Sequence, residues 1–157
     1  MGLLTEAEMA KPKTLSWTKL SVWPGDGGSP EDFTSAVCGM TTKSFTLSAD
    51  TSDITVPDCD DPDQPAWVER VVRSLSGGFS GSGLMAEDIY ATWRDWMLSG
   101  LAKNVRIVVD GTTIDGYFEG SFLLTSFETN GNQDDGKMQI SVQLQSDGPV
   151  AWANGAP

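Results

Sequence analysis

The sequence has no histidine, only two cysteines, and 10 basic residues against 22 acidic ones. Without histidine, Ser–His and Cys–His catalysis are excluded and the commonest zinc ligand is missing. Cys38 and Cys59 are too few for a disulfide scaffold or a cysteine-based structural metal site. They read as reduced thiols of a cytosolic product, with a single disulfide left open. The shortage of lysine and arginine gives a net charge of −12. That argues against direct binding to nucleic acid or anionic lipid, because both need clustered cations. No apolar run approaches the length of a membrane span. Residues 1–13 lack the basic-then-apolar order of a signal peptide. Glu6 breaks the myristoylation pattern that the initial Met-Gly would otherwise begin. An intracellular product with a flexible N-terminal arm at 1–14 is expected.

What is present is alternation. Along 71–79, Val71, Leu75 and Phe79 point one way, while Ser74, Ser76, Ser80 and Ser82 fall on the opposite parity. Strand side chains alternate between faces, so one face is apolar and the other carries small neutral hydroxyls. Residues 138–145 repeat the pattern, with Met138, Ile140, Val142 and Leu144 inward and Gln139, Ser141, Gln143 and Gln145 outward. One amphipathic helix is expected at 87–99, with Ile89, Trp93, Trp96 and Met97 on one stripe for packing against the sheet. Gly100 is its expected stop.

Further strands are expected at 15–22, 34–40, 42–47, 67–81, 104–109, 114–127 and 137–146. An acidic loop is expected at 50–65, with a short strand at 54–56 inside it. A turn at Asp110-Gly111 favours antiparallel pairing. The 157 residues suit one mainly β domain over 15–146, an antiparallel sandwich or split barrel with one flanking helix. Residues 147–157 are expected to form an extended C-terminal tail.

The outward residues are the candidate site. Three long strands present Ser74, Ser76, Ser80 and Ser82; Glu119, Ser121 and Thr125; and Gln139, Ser141, Gln143 and Gln145. Side by side they would make a broad, wettable, nearly neutral surface, whereas an ordinary solvent face carries more lysine and glutamate. Two readings stand: a solvated sandwich face, or the lining of a water-filled channel.

Other motifs carry less. Gly81-Ser82-Gly83-Leu84-Met85-Ala86 fits G-x-G-x-x-A between a strand and a helix, as in a dinucleotide-binding unit. The preceding strand alternates, however, and no further helices exist to cover a parallel sheet. Asp58, Asp60, Asp61, Asp63 and Glu69 resemble a calcium loop, but Asp63 stands where that loop needs glycine. A weak cation site stays open there. Six tryptophans could bind sugar or anchor interfaces. Glu87 and Asp88 suit the start of a helix, and no acid–base pair stands out. No cofactor or metal is expected. A soluble β-sandwich binding module, for carbohydrate or calcium-dependent, is the alternative to an assembly protein.

Several strings, in this order, resemble the major tail tube proteins of long-tailed phages and gene transfer agents. They are Ser44-Phe45-Thr46-Leu47, Val56-Pro57-Asp58-Cys59-Asp60-Asp61-Pro62, the run from Trp67 to Gly77, the helix through Trp93, and Tyr117-Phe118-Glu119-Gly120-Ser121-Phe122. The resemblance covers about 11–149. It implies homohexameric rings whose strands close into one inner β-barrel. The rings would stack along a tape-measure protein, with tail-terminator and distal-tail proteins at the ends. DNA would pass through the lumen without specific binding. It also implies residence in the tail of a phage-like particle after synthesis in the host cytoplasm, and no catalytic residues. The hydroxyl and amide parity would then face the lumen, with the opposite parity in the core.

Overall fold

The structure is a computed structural model, described here for residues 12–84, 86–134 and 136–157. A short 3-10 turn at Trp17–Lys19 leads into β1 (Leu20–Pro24). Then come β2 (Met40–Val56), β3 (Trp67–Leu84), α1 (Glu87–Ser99), β4 (Lys103–Asp110), β5 (Asp115–Gly131) and β6 (Met138–Asn154). The strands form a 6-stranded sheet in the order β1-β4-β5-β6-β3-β2, antiparallel at every step. The sheet curls on itself. Phe45 of β2 meets Phe118 of β5 with ring centroids 5.0 Å apart, and Lys43 of β2 sits 4.8 Å over the Trp17 ring ahead of β1. Most of the expected N-terminal arm lies outside the described residues.

The core fills the concave side. Phe79, Ile140, Val142 and Leu144 are buried with Val22, Val105, Ile107 and Phe122. The helix closes this face. Trp93 and Trp96 are fully buried and stack 5.7 Å apart, and the Trp96 indole donates to the Leu101 carbonyl at 2.9 Å. Ile89 is half-buried against the core, and Tyr90 meets Phe127 at 5.4 Å. Met97 lies at the margin of the stripe, 39% exposed. Gly100 ends the helix with φ 67, a left-handed value that suits glycine.

Several local expectations differ from the structure: the first strand begins at Leu20 and not at Leu15, Met138 is exposed and not inward, and four further differences have a pairing reason. Residues 34–39 are loop, tied to β1 by the Ala36 N–H donating to the Val22 carbonyl. Residues 50–53, expected as acidic loop, are strand and run on into the short strand expected at 54–56, because β3 pairs with β2 as far as Val56↔Trp67. Cross-strand pairing overrides the poor strand preference of Asp50, Ser52 and Asp53. The expected tail runs on as β6 to Asn154, paired with β5 up to Gly116↔Asn154. It does so by holding two extra residues opposite Gly120–Phe122, where Gly148 takes φ 109.

The fourth difference concerns Val71 and Leu75, which were expected in the core and are 49% and 77% exposed. β3 pairs with β6 only from Gly78 onward, so its first half joins β2 alone in a projecting hairpin arm. Leu75 keeps its apolar parity but lies beyond the cover of β6. Val71 changes sides. Ser74 pairs with Asp50 and Val72 with Thr51, leaving Arg73 unpaired, and this bulge shifts every more distal β3 side chain to the other face.

The G-x-G-x-x-A string also has a structural role. Gly81 and Gly83 lie inside antiparallel β3, and a Cβ on Gly83 would strike the Gly39 carbonyl and the Met40–Thr41 backbone. The string serves close strand packing and opens no phosphate-binding turn.

Candidate functional site

Register brings most of the polar candidates into transverse rows. Thr42, Ser82, Ser141 and Glu128 form one row across β2, β3, β6 and β5. Ser44, Ser80, Gln143 and Ser126 form the next, followed by Thr46, Gly78, Gln145 and Leu123. Beyond β6 the rows continue on the hairpin arm as Ser48↔Ser76 and Asp50↔Ser74. Gln139 stands opposite Leu84 and Asn130 at the other end. Directly paired residues share a face, so Ser74, Ser76, Ser80, Ser82, Gln139, Ser141, Gln143 and Gln145 lie on one side of one sheet. In the single chain these side chains are exposed, apart from half-buried Ser82 and Ser141. The paired rows from Thr42 to Asp50 hold no lysine or arginine, and their charges are the carboxylates Asp50 and Glu128.

The β5 candidates fall differently. Thr125 has no cross-strand partner, because Leu124 pairs with Leu144 and Ser126 with Gln143. It is a bulge residue whose hydroxyl donates to the Gln143 carbonyl at 3.2 Å. Ser126 and Glu128 take its expected place in the rows. Glu119 and Ser121 share the face by alternation, but they lie where β5 pairs with β4, apart from the serine and glutamine rows. Glu119 pairs there with Arg106 at 3.7 Å. The Arg106 guanidinium stacks 4.0 Å over Phe33 and 4.7 Å over Tyr117, pinning the 25–37 loop to the sheet. The β2 residues Thr42, Ser44, Thr46 and Ser48 complete the rows. Their clean alternation was readable, but their neighbours were not.

The pinned loop is organised around Asp26. Its carboxylate accepts the backbone N–H groups of Gly28 at 2.8 Å and Asp32 at 3.1 Å, and these hold its pKa below the usual 3.8. On the opposite flank, burial beside Trp17 lowers the Lys43 ammonium from its ordinary 10.5. No group of ligating side chains able to hold a metal occurs among the described residues. Nor does the arrangement bring an acid, a base and a nucleophile together. Its chemistry is that of a wettable surface bounded by strand edges.

Two of those edges are long and open. Among the described residues β2 pairs only with β3, leaving its outer edge free from Met40 to Val56. β5 pairs with β4 only up to Phe122, so its other half, 123–131, has β6 on one side and, among the described residues, no strand on the other. Apolar side chains on the arm are also exposed: Leu47, Ile54, Val56, Val68, Val72 and Trp67, the last at 89%. Free edges and exposed apolar side chains invite pairing with another chain.

Comparison with solved structures gives full-length likenesses in fold. The tail of an empty gene transfer agent particle, refined helically with C6 symmetry, matches with TM-score 0.74 and 18% identity over 89% of this chain and 99% of that one. The SPP1 tail tube matches with TM-score 0.60 and 10% identity, over 92% and 81% of the two chains. The extended sheath–tube complex of PVC, an extracellular contractile injection system, gives 0.61 and 12%, over 98% and 100%. Comparison with curated proteins by sequence gives no match. A family model described as phage tail tube protein matches residues 25–151, most of the chain and nearly all of the curled sheet. An antiparallel sheet with one helix, one neutral polar face and two open edges, read by that model over this span, belongs to the phage tail tube protein family.

Proposed function

We propose that this chain assembles into homohexameric rings that stack into the tube of a phage-like tail and let DNA pass from head to host. The observation that carries the proposal is the pairing of open edges with a polar face. The sheet order β5-β6-β3-β2 alternates in direction at each step. The free edge of β2 in one copy can therefore join the free half of β5 in the next as another antiparallel pair. That union would satisfy both edges and extend one continuous wall with the serine and glutamine rows on a single side. The sixfold count follows the symmetry of the gene transfer agent tail.

The wall chemistry supports a conduit. Hydroxyls and amides offer DNA weak, replaceable contacts, and Asp50 and Glu128 repel its phosphates. No cation in the paired rows would retain the passing strand. Before DNA enters, the lumen would hold a tape-measure protein, and tail-terminator and distal-tail proteins would close the ends. The acidic segment around the arm tip, the N-terminal arm and the end of β6 are candidate ring-to-ring contacts.

Negative-stain microscopy with light-scattering mass, over a concentration series of the purified protein, tests this reading. Rings or hollow tubes with a central pore are expected. Solid aggregates, or a ring whose inner wall carries Phe79 and Leu144 in place of Ser80 and Gln143, would overturn it.

A further inference from the structure

Trp67 is the most exposed large apolar side chain described, at 89%. The other exposed tryptophans are engaged: Trp17 lies under Lys43, and Trp152 packs on Phe118 and donates to Asn154. Trp67 has no such contact among the described residues. It closes the distal end of the hairpin arm opposite Val56, and Ile54 and Val71 stand on the same side of the arm by register, with Glu69 opposite Ile54 between them. Arg73 creates this patch, because the bulge moves Trp67 and Val71 to the side that carries serines nearer the body.

At the root of the same arm, on the apolar side, β3 parts from β6 and leaves a notch of about 220 Å³. Leu47, Ala49, Leu75, Gly148 and Val150 line it together with three serines, Ser48, Ser76 and Ser146. A dry cavity of roughly 150 Å³ holds a benzene ring, so this notch has room for one aromatic side chain. Knob and notch cannot meet within one molecule. They lie on opposite faces of one hairpin, and at ~3.3 Å of rise per residue Trp67 is roughly 26 Å along β3 from Leu75.

We infer that Trp67 of one copy inserts into the Leu47–Leu75–Val150 notch of a second copy, and that this contact joins one ring to the next. The inference rests on the tube reading and adds the axial joint. A knob and a pocket at different places on one surface make a heterologous contact, which propagates without closing. The offset runs along the strands and not across them, so it displaces the second copy along the arm and not around the ring. The edges of β2 and β5 are left for lateral closure. Val56, Ile54 and Val71 would flank the inserted indole and exclude water from it.

Two variants test the contact from opposite sides: Trp67→Ala removes the knob, and Ala49→Trp fills the notch. Both positions are exposed, so each variant should unfold at the wild-type denaturant midpoint, which separates loss of assembly from loss of fold. Both should still form rings while raising the concentration at which tubes appear by about thirtyfold, the loss expected for one interface anchor. A third variant, Trp67→Cys with Ala49→Cys in a Cys38→Ser, Cys59→Ser background, should give a ladder of oxidised oligomers on a non-reducing gel. Tubes at the wild-type threshold in both single variants would overturn the contact and leave the tube reading standing. A wild-type protein that stays monomeric at every concentration would overturn both.

Discussion

Phe79 and Leu75 occupy the same parity of one strand, four residues apart, and substituting them should have opposite consequences. Phe79 is 2% exposed and lies in the core under Phe45 and Leu144. Phe79→Ala removes buried apolar surface and leaves a cavity, at a cost of about 3–5 kcal/mol to the single subunit. With a urea slope of about 2 kcal/mol/M, its midpoint should fall by about 2 M. Leu75 is 77% exposed, so Leu75→Ser should stay within about 0.5 kcal/mol of wild type in the same titration. In the proposed contact between rings that side chain would be buried, and its transfer from water would contribute about 2 kcal/mol per contact. The assembly threshold of Leu75→Ser should therefore rise by about thirtyfold, read by pelleting or light scattering. The reasoning is refuted if Leu75→Ser destabilises the dilute monomer by more than about 1.5 kcal/mol, since the arm would then be packed on its own body. It is equally refuted if the assembly threshold does not move.

Other predictions follow from the remaining features. Ser80→Lys places a cation in the middle of the polar rows; the variant should fold and assemble, and its tubes should retain fluorescent duplex DNA in low salt and release it as salt rises, while wild-type tubes retain none. Arg106→Ala removes the guanidinium between Phe33 and Tyr117 and should cost about 1–2 kcal/mol, read as a lower denaturation midpoint and faster amide exchange in the 25–37 loop. The Asp26 pKa is lowered by the N–H groups of Gly28 and Asp32, so the folded loop binds its proton less readily than the unfolded chain does. Its contribution is present above the ordinary value of 3.8 and is lost as pH falls through the lower folded value. Amide protection at Gly28 and Asp32 should drop in that acid range in wild type, and should already be low and insensitive to pH in Asp26→Ala.

Much of the architecture was legible in the sequence because the chain writes its strands in plain alternation. The 138–145 run placed Ile140, Val142 and Leu144 in the core, though Met138, expected inward with them, is exposed at the strand's start, and the helix bounds at 87 and 99 followed from the Trp93–Trp96 stripe and Gly100. The polar rows on β3 and β6 were readable for the same reason. Illegible were the places where register slips. Nothing in Leu124-Thr125-Ser126 announces that Thr125 lacks a partner, yet that one residue exchanges it for Ser126 and Glu128 in the rows. Nothing in Val72-Arg73-Ser74 announces that Val71 changes sides. Both depend on how a neighbouring strand is spaced, which alternation within one strand does not record. The strand character of 50–53 and of the last residues was hidden likewise, since it comes from the partner and not from the residues themselves.

The ribbon β5-β6-β3-β2 has an even number of strands, and this has a consequence for counting. In the proposed ring, even parity would make every seam between copies antiparallel, whatever the number of copies, so hydrogen bonding by itself would not distinguish a ring of five from one of six or seven. The number must be chosen by shape, through the twist and tilt that each ribbon adds to the circumference. Local bend then becomes the counting device. The glycines Gly77, Gly78, Gly81 and Gly83 lie within the ribbon, where Cβ atoms would meet Leu47, the Leu144 carbonyl, Met40 and the Gly39 carbonyl. Substitution there would alter the radius of the wall before it altered the chemistry of its lining.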